Sequence, residues 1–223
     1  MADHLQHELK KEFQLERMIL FSDAIFAIAI TLLVLEIKVP AFDRHTATDK
    51  MLTDTLNEMI PKFVGFLLSF MIIGAYWIIH HRIFGYVVNY NNKLLSLNLI
   101  LLLGIVLMPF STAFFSEYLL RFLKTPMLFY IINVAFLGFM NLFLWRYVSN
   151  GKNQLSVPVS KKDRASVTLR TIVPSLSFII IAVGYLLTAK YAPYFILGLA
   201  LVLRIIRYYV KKKSNRAETH EPV

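Results

Sequence analysis

The chain has 223 residues, of which 57% are hydrophobic and 17% charged. Soluble domains are typically about 45–50% apolar and 25% charged, so this composition predicts an all-α integral membrane protein with small loops. The absence of cysteine excludes disulfides and thiolate metal sites. The net charge of +10 does not indicate a nucleic-acid partner, because the positions of the basic residues are those expected of a membrane protein.

Six apolar segments follow one another along the chain, each about long enough to cross a bilayer. Their hydrophobic runs are continuous rather than alternating, which predicts helices and not barrel strands. The first segment is too long for the apolar part of a signal peptide, so we expect it to be retained. The sequence predicts one six-helix unit (1–223), with helices at about 17–39, 61–81, 94–116, 126–148, 167–189 and 193–210, and a basic tail at 211–223.

The basic residues predict how the chain is oriented in the membrane. If the amino terminus is inside, 17 of the 24 Lys and Arg residues lie in inner segments and the other 7 in outer segments. Cytoplasmic loops carry such an excess, so both termini are predicted to be cytoplasmic, in a multi-pass protein of the cell (inner) membrane. The basic tail is expected to lie against anionic lipid headgroups, which accounts for the net charge without nucleic acid.

The first segment carries different residues on its two faces. One stripe is apolar except for one hydroxyl and has Leu32 on its flank; its members are Ala24, Ile28, Thr31 and Leu35. Asp23 lies about 140° from Ile28 around the helix. Periodicity alone favours a stripe that packs in a bundle or faces lipid. Asp23 is either a boundary residue or a polar group that faces protein, since ionisable groups at membrane depth are costly.

Polar residues of the first three segments lie at matching depth, near the inner side of the membrane. Ser22 and Asp23 begin the first segment, Trp77 and His80 lie near the end of the second, and Asn98 is near the start of the third. We expect these ends to meet and to share hydrogen bonds, although each histidine also fits a water-exposed position. No metal site is predicted, because the adjacent histidines of the second segment point in different directions on a helix.

Residues 17–23, Arg-Met-Ile-Leu-Phe-Ser-Asp, match the RxxxFSD signature that opens the first helix in the transmembrane protein 175 family of potassium channels. Segments 76–82 and 101–110 also resemble prokaryotic members, which have a single six-helix unit. The resemblance covers the chain and is strongest over 17–116. It implies that a set of residues identifies the family and bonds the first helix to the second and third: Arg17, Phe21, Ser22, Asp23, Trp77, His80 and Asn98.

The resemblance also implies a homotetramer whose pore is lined by the first helix of each subunit. Ile28, five positions after the signature Asp, would form the constriction, and the pore wall would continue through Thr31, Leu32 and Leu35. We therefore expect a potassium-selective, leak-like channel with potassium ions and the lipid bilayer as partners, without a cofactor and without enzymatic activity. Four Ile28 side chains would favour potassium modestly, because potassium gives up its hydration water more easily than sodium.

Three alternatives stay open at this point. A proton-coupled secondary transporter is expected to have repeats and broken helices, for which Pro109 and Pro174 are the only hints. A membrane enzyme needs a convergent set of acids, bases or metal ligands, and the only candidates are Asp23 and the two adjacent histidines. A proton-permeable channel belongs to the same class as the favoured prediction, since animal relatives are linked to proton leak.

Overall fold

A computed structural model describes residues 2–42, 47–121 and 123–187 of the chain. Its helices are α1 (Ala2–Leu32), α2 (Asp49–Glu58), α3 (Ile60–Phe84), α4 (Asn92–Val106), α5 (Met108–Glu117), α6 (Lys124–Val148) and α7 (Lys161–Leu187). Short 3₁₀ turns lie at Leu33–Glu36, Leu119–Arg121 and Gly151–Asn153. Within the described residues, four stretches are long and apolar enough to cross a membrane: Lys10–Glu36, Ile60–Phe84, Asn92–Glu117 and Lys124–Val148.

These four stretches correspond to the first four predicted segments, which confirms the class of all-α membrane protein. The fifth predicted segment falls within α7 as far as Leu187. The sixth segment and the basic tail lie outside the described residues. The count of six membrane helices, the single six-helix unit, the orientation of the termini and the tetramer therefore stay predictions.

The first helix begins well before its apolar part. Its polar lead-in belongs to the same helix, so α1 already begins at Ala2 rather than near residue 17. At the other end the α-helix stops at Leu32 and continues as a 3₁₀ turn, Leu33–Glu36, instead of reaching residue 39. A tighter last turn of this kind is common at helix ends.

The segment between the first two membrane helices contains a helix that the sequence prediction left as a polar loop. Thr48 caps α2, because its side-chain oxygen accepts a hydrogen bond from the backbone N–H of Met51 at 3.3 Å. Met59 alone separates α2 from α3. Pro61 sits in the first turn of α3, where its missing N–H costs nothing.

The third membrane stretch is broken into α4 and α5 around Leu107. Pro109 lies in the first turn of α5 and cannot donate a backbone hydrogen bond to the preceding turn. Asn133 of α6 stabilises the break: its Nδ2 donates to the carbonyl of Gly104 at 3.2 Å and to Oγ of Ser111 at 3.1 Å. Polar side chains of neighbouring helices commonly satisfy backbone groups at breaks in membrane helices.

Residues up to Phe178 form one compact unit, and the described residues after it continue α7. In this unit α1 packs against α3 and α4, α3 packs against α5 and α6, and α6 packs against α4 and α5. The approach of α4 to α6 is close at Gly104, where an added Cβ would lie 2.8 Å from side-chain atoms of Leu137 and Phe136. Small residues permit such close packing between membrane helices.

Two loops at the same end of the bundle pair with each other. The loop after α3 and the loop after α6 meet in an antiparallel bridge between Val87 and Ser156. The backbone N–H of Val88 donates to the carbonyl of Leu155 at 2.8 Å. Nδ2 of Asn89 adds a longer hydrogen bond, 3.4 Å, to the carbonyl of Gln154. These contacts tie the α3–α4 pair to the end of α6.

Candidate functional site on the first helix

One face of α1 is buried against α3 and α4, and it continues into the 3₁₀ turn that follows α1. Its members recur every three or four residues and are each at most 7% exposed: Met18, Ser22, Phe26, Ala29 and Leu33. This spacing is that of a single face of an α-helix. Ser22 is the only polar residue among the five, so the packing of α1 combines apolar burial with one hydroxyl.

Another face is exposed from Ala24 in α1 to Leu35 in the 3₁₀ turn that follows it. Ile28 is 56% exposed and Leu35 is 68% exposed, and Ala24, Thr31 and Leu32 are exposed with them. These are the residues of the stripe that the sequence analysis singled out as a pore wall. In the single chain, this face is therefore available either to lipid or to other subunits.

Thr31 is the one hydroxyl on the exposed stripe. Its Oγ1 donates to the backbone carbonyl of Ile28 at 2.9 Å, so its proton is used within the helix. The oxygen of a hydroxyl group has lone pairs that can still accept. Thr31 thus presents an acceptor on an otherwise apolar surface, one turn after Ile28.

Three buried polar side chains form a chain of hydrogen bonds that runs from α3 through α4 to α1. Nε2 of His80 lies 2.9 Å from Oδ1 of Asn98, and Nδ2 of Asn98 donates to Oγ of Ser22 at 2.8 Å. The Ser22 hydroxyl then donates to the carbonyl of Met18 at 2.9 Å. Because the amide oxygen of Asn98 can only accept, Nε2 of His80 is the donor. His80, Asn98 and Ser22 are each at most 2% exposed, so none of these bonds competes with solvent.

A second link joins α1 to α3 beside this chain of hydrogen bonds. Nε1 of Trp77 donates to Oδ1 of Asp23 at 2.9 Å. The ring of Trp77 lies 5.6 Å from the ring of His81, and its side chain is partly exposed. The five polar residues expected to share hydrogen bonds are thus brought together, but in two separate groups: Ser22 with Asn98 and His80, and Asp23 with Trp77.

The other two signature residues lie apart from these groups. Arg17 and Phe21 are exposed on α1, four residues apart, and Phe21 is followed on the same side by the exposed stripe from Ala24 to Leu35. The guanidinium carbon of Arg17 lies 5.9 Å from the ring centre of Phe13, one turn earlier. This contact stays within α1. The hydrogen bonds to α3 and α4 described above involve Ser22 and Asp23 and not these two residues.

Two further sets of buried polar residues were not anticipated from the sequence. Oγ of Ser69 lies 2.9 Å from the hydroxyl of Tyr130, and Oγ1 of Thr112 lies 2.7 Å from the same Ser69 oxygen, which links α3, α6 and α5. The hydroxyl of Tyr76 donates to the carbonyl of Val134 at 2.8 Å. The sequence shows these polar residues within apolar segments, but it does not indicate which of them pair with each other.

Among the described residues, no group of three or more His, Cys, Asp or Glu side chains is arranged to hold a metal ion. His80 is surrounded instead by aromatic rings: its ring centre lies 5.3 Å from that of Phe26 and 4.4 Å from that of Phe84. The site therefore offers a helix held firmly on one side and apolar on the other. Such a surface can line a pathway or face lipid.

Comparisons with known proteins point to one family. Residues 17–109 match the family described as endosomal/lysosomal potassium channel TMEM175. A protein of Streptomyces collinus named potassium channel is 41% identical over 99 residues, which are 44% of this chain and 46% of that protein. A potassium channel of Chamaesiphon minutus is 40% identical over 115 residues, 51% of this chain and 55% of that protein. The chain spans about half the length of these curated relatives.

Animal proteins and a solved structure are also similar. A Gallus gallus protein named endosomal/lysosomal proton channel TMEM175 is 33% identical over 116 residues, 49% of this chain and 23% of that protein. The crystal structure of a lysosomal potassium-selective channel TMEM175 homolog from Chamaesiphon minutus matches with a TM-score of 0.69 and 27% identity, over 86% of this chain and 97% of that chain. These matches confirm the resemblance carried by the RxxxFSD signature: the chain is similar to TMEM175 potassium channels over residues 17–109.

Proposed function

We propose that this TMEM175-like chain is a potassium-selective, leak-like cation channel built from four identical subunits. The observation that supports the proposal most is the division of α1 into a face fixed to α3 and α4 and a continuous exposed face. The exposed face would line the pore, from Ala24 through Ile28 and Thr31 to Leu35. The names of the bacterial relatives, which are potassium channels, agree with this function.

The proposed constriction is a ring of four Ile28 side chains. A cation that passes an apolar ring loses part of its hydration shell and receives no fixed charge in return. Potassium loses water at lower cost than sodium, so the ring would favour potassium modestly. A hydrophobic constriction of this kind can also close by dewetting. The hydroxyl oxygens of Thr31, one turn away, would supply replacement ligands.

The proposed setting is the inner membrane of a bacterial cell, with both termini in the cytoplasm. The excess of Lys and Arg in the predicted inner segments supports this orientation. The proposed partners are potassium ions, the bilayer and three further copies of the chain. Transport through a pore needs neither a cofactor nor an enzymatic step, and none is part of the proposal.

The test is the reversal potential of the current through the purified protein in planar bilayers, under opposed potassium and sodium gradients. We expect current through discrete openings that reverses near the potassium equilibrium potential. Protein-free bilayers treated with the same detergent are the control. A flux that saturates and follows a proton gradient would contradict the channel and favour a proton-coupled transporter.

A proton-permeable channel is the second candidate, because the similar animal proteins are named proton channels. The same bilayers distinguish it when the potassium and sodium concentrations are equal on both sides and only pH differs. A reversal potential that follows the proton gradient would support the second candidate. A reversal potential at zero would exclude it and leave the potassium channel.

A further inference from the structure

The short helix α2 has an apolar side and a polar side. On a helical wheel of about 100° per residue, Leu52 and Leu56 share one side with Met59, which directly follows α2, and Asp49 and Thr55 lie at the edges of this side. The opposite side carries polar and charged residues: Lys50, Thr53, Asp54, Asn57 and Glu58. None of the ten residues of α2 is buried. Met59 is buried, at 8% exposed, so the apolar side is covered at the junction with α3 and uncovered at Leu52 and Leu56.

The position of α2 decides what can cover this side. Only Met59 lies between α2 and α3, and α3 is one of the stretches long enough to cross a membrane. Leu52 and Leu56 precede the exposed Ile60 at intervals of four residues, and the exposed side of α3 continues through Val64 and Leu67. The exposed apolar residues of α2 thus come directly before an exposed apolar side of α3 in the chain. Because one residue separates the two helices, α2 lies next to the end of a stretch that can cross a membrane, where the headgroup region begins.

We infer that α2 is a membrane-surface helix, whose apolar side lies in the headgroup region at the end of α3. Surface helices with one apolar side are buried about 5–10 Å into the boundary between headgroups and acyl chains. Leu56, which is 53% exposed, and Leu52, which is 41% exposed, would enter this region. A second copy of the chain is a poorer occupant, since a standard protein interface uses about 20–30 residues on each side and the exposed apolar side of α2 offers two.

The charges of α2 indicate whether its contact with the membrane needs anionic lipids. Its polar residues include three carboxylates, Asp49, Asp54 and Glu58, against the single ammonium of Lys50. Many surface helices carry Lys and Arg that attract anionic lipids. This helix does not, so its contact with the membrane is expected to come from apolar burial and to need no anionic headgroup.

The absence of cysteine in the native chain makes a direct test possible. Single variants Leu52→Cys and Leu56→Cys on the apolar side, and Asp54→Cys and Asn57→Cys on the polar side, are labelled with an environment-sensitive fluorophore. The full-length protein is placed in phosphatidylcholine vesicles, with and without phosphatidylglycerol. Quenching by lipids spin-labelled near the headgroup is compared with quenching by aqueous iodide.

We expect labels at 52 and 56 to be quenched several-fold more strongly by the spin-labelled lipid than labels at 54 and 57, and iodide to give the reverse order. The pattern should be the same without phosphatidylglycerol. Iodide quenching at all four positions would overturn the inference, because α2 would then stand in water. Protection of 52 and 56 from both quenchers would overturn it in favour of a contact with a second copy. None of these results depends on ion conduction.

Discussion

Asn98 on α4 donates a hydrogen bond of 2.8 Å to Ser22 on α1, although the two residues are 76 positions apart in the chain. The bond is fully buried, and Ser22 lies on the face of α1 that packs against its neighbours. A polar contact inside an apolar bundle has few alternative partners, so it fixes the rotation of α1 about its own axis. Fixing this rotation also determines which side of α1 carries Ile28.

Removal of the Ser22 hydroxyl should weaken the bundle. In Ser22→Ala the amide of Asn98 loses its acceptor, and we expect a loss of about 0.6–2 kcal/mol in unfolding free energy, the range for polar contacts between membrane helices. Ser96→Ala is the matched control, since its exposed hydroxyl donates only to Asn92 of the same helix at 2.9 Å. Unfolding in mixed detergent micelles measures both, and equal stability of the two variants would contradict the role of Ser22.

The link between Asp23 and Trp77 can be measured by a double-mutant cycle. Trp77→Phe removes the N–H donor and keeps an aromatic ring, while Asp23→Ala removes the acceptor. Residues that share a hydrogen bond typically show a coupling of about 0.5–3 kcal/mol, and we expect a value at the lower end because Trp77 is partly exposed. The unfolding free energies of the two single variants and the double variant give the coupling. Strict additivity would show that the contact does not stabilise the protein.

Ile28 tests the proposed constriction. Asparagine in its place would bring polar groups into the apolar ring and lower the cost of sodium passage, so Ile28→Asn should reduce the potassium-to-sodium permeability ratio. Ile78→Asn on α3 is the control, because Ile78 is 54% exposed, close to the 56% of Ile28. Reversal potentials in planar bilayers measure the ratio. An unchanged ratio in Ile28→Asn would show that this ring is not the selectivity filter.

A substitution at Thr31 should change conduction without changing the stability of the protein. Thr31→Val keeps the shape of the side chain and removes an oxygen that is proposed to replace hydration water, so we expect lower potassium conductance with an unchanged unfolding free energy. The control is Thr53→Val on α2, whose hydroxyl also bonds only to its own helix, at 2.8 Å. Single-channel conductance is the measurement. Wild-type conductance in Thr31→Val would exclude the hydroxyl as a ligand.

Two glycines should respond in opposite ways to alanine. An added methyl group at Gly104 would meet Leu137 and Phe136 of α6 at 2.8 Å, so Gly104→Ala should lower the unfolding free energy by about 1–3 kcal/mol, as overpacking does. At Gly74 no such atom lies within 4 Å, and alanine should be neutral or stabilise α3 by up to about 1 kcal/mol. Thermal unfolding in detergent measures both changes. A stable Gly104→Ala variant would show that α4 and α6 can move apart.

The sequence predicted the first four membrane stretches well, because long apolar runs are an unambiguous signal. It was less informative where the signal is local. Because residues 41–59 are polar, the sequence indicated a loop there and gave no sign of α2. The start of this helix depends on a capping hydrogen bond from the backbone N–H of Met51 to Thr48. Pro109 hinted at a break in the third stretch, but the amide that stabilises the break comes from Asn133, on a helix that the sequence could not position.

The polar contacts were also predicted only in part. Ser22, Asp23, Trp77, His80 and Asn98 were expected near one another because they lie at similar depth. That reasoning gives proximity and not partners, so the separation into two groups required the packing of α1 against α3 and α4. The cluster around Ser69 was missed altogether, since nothing in an apolar run says which residue on another helix faces a given hydroxyl.

The pairing of the loop after α3 with the loop after α6 has a consequence for biosynthesis. Asn89 bonds to Gln154, a residue synthesised 65 positions later. Chains emerge from the ribosome with the amino-terminal part first, so the earlier loop waits with unpaired backbone groups until α6 has been completed. A nascent chain released before that point lacks the strand partner that closes this end of the bundle. Protease digestion of stalled chains should therefore cut near residue 89 until the later loop is present.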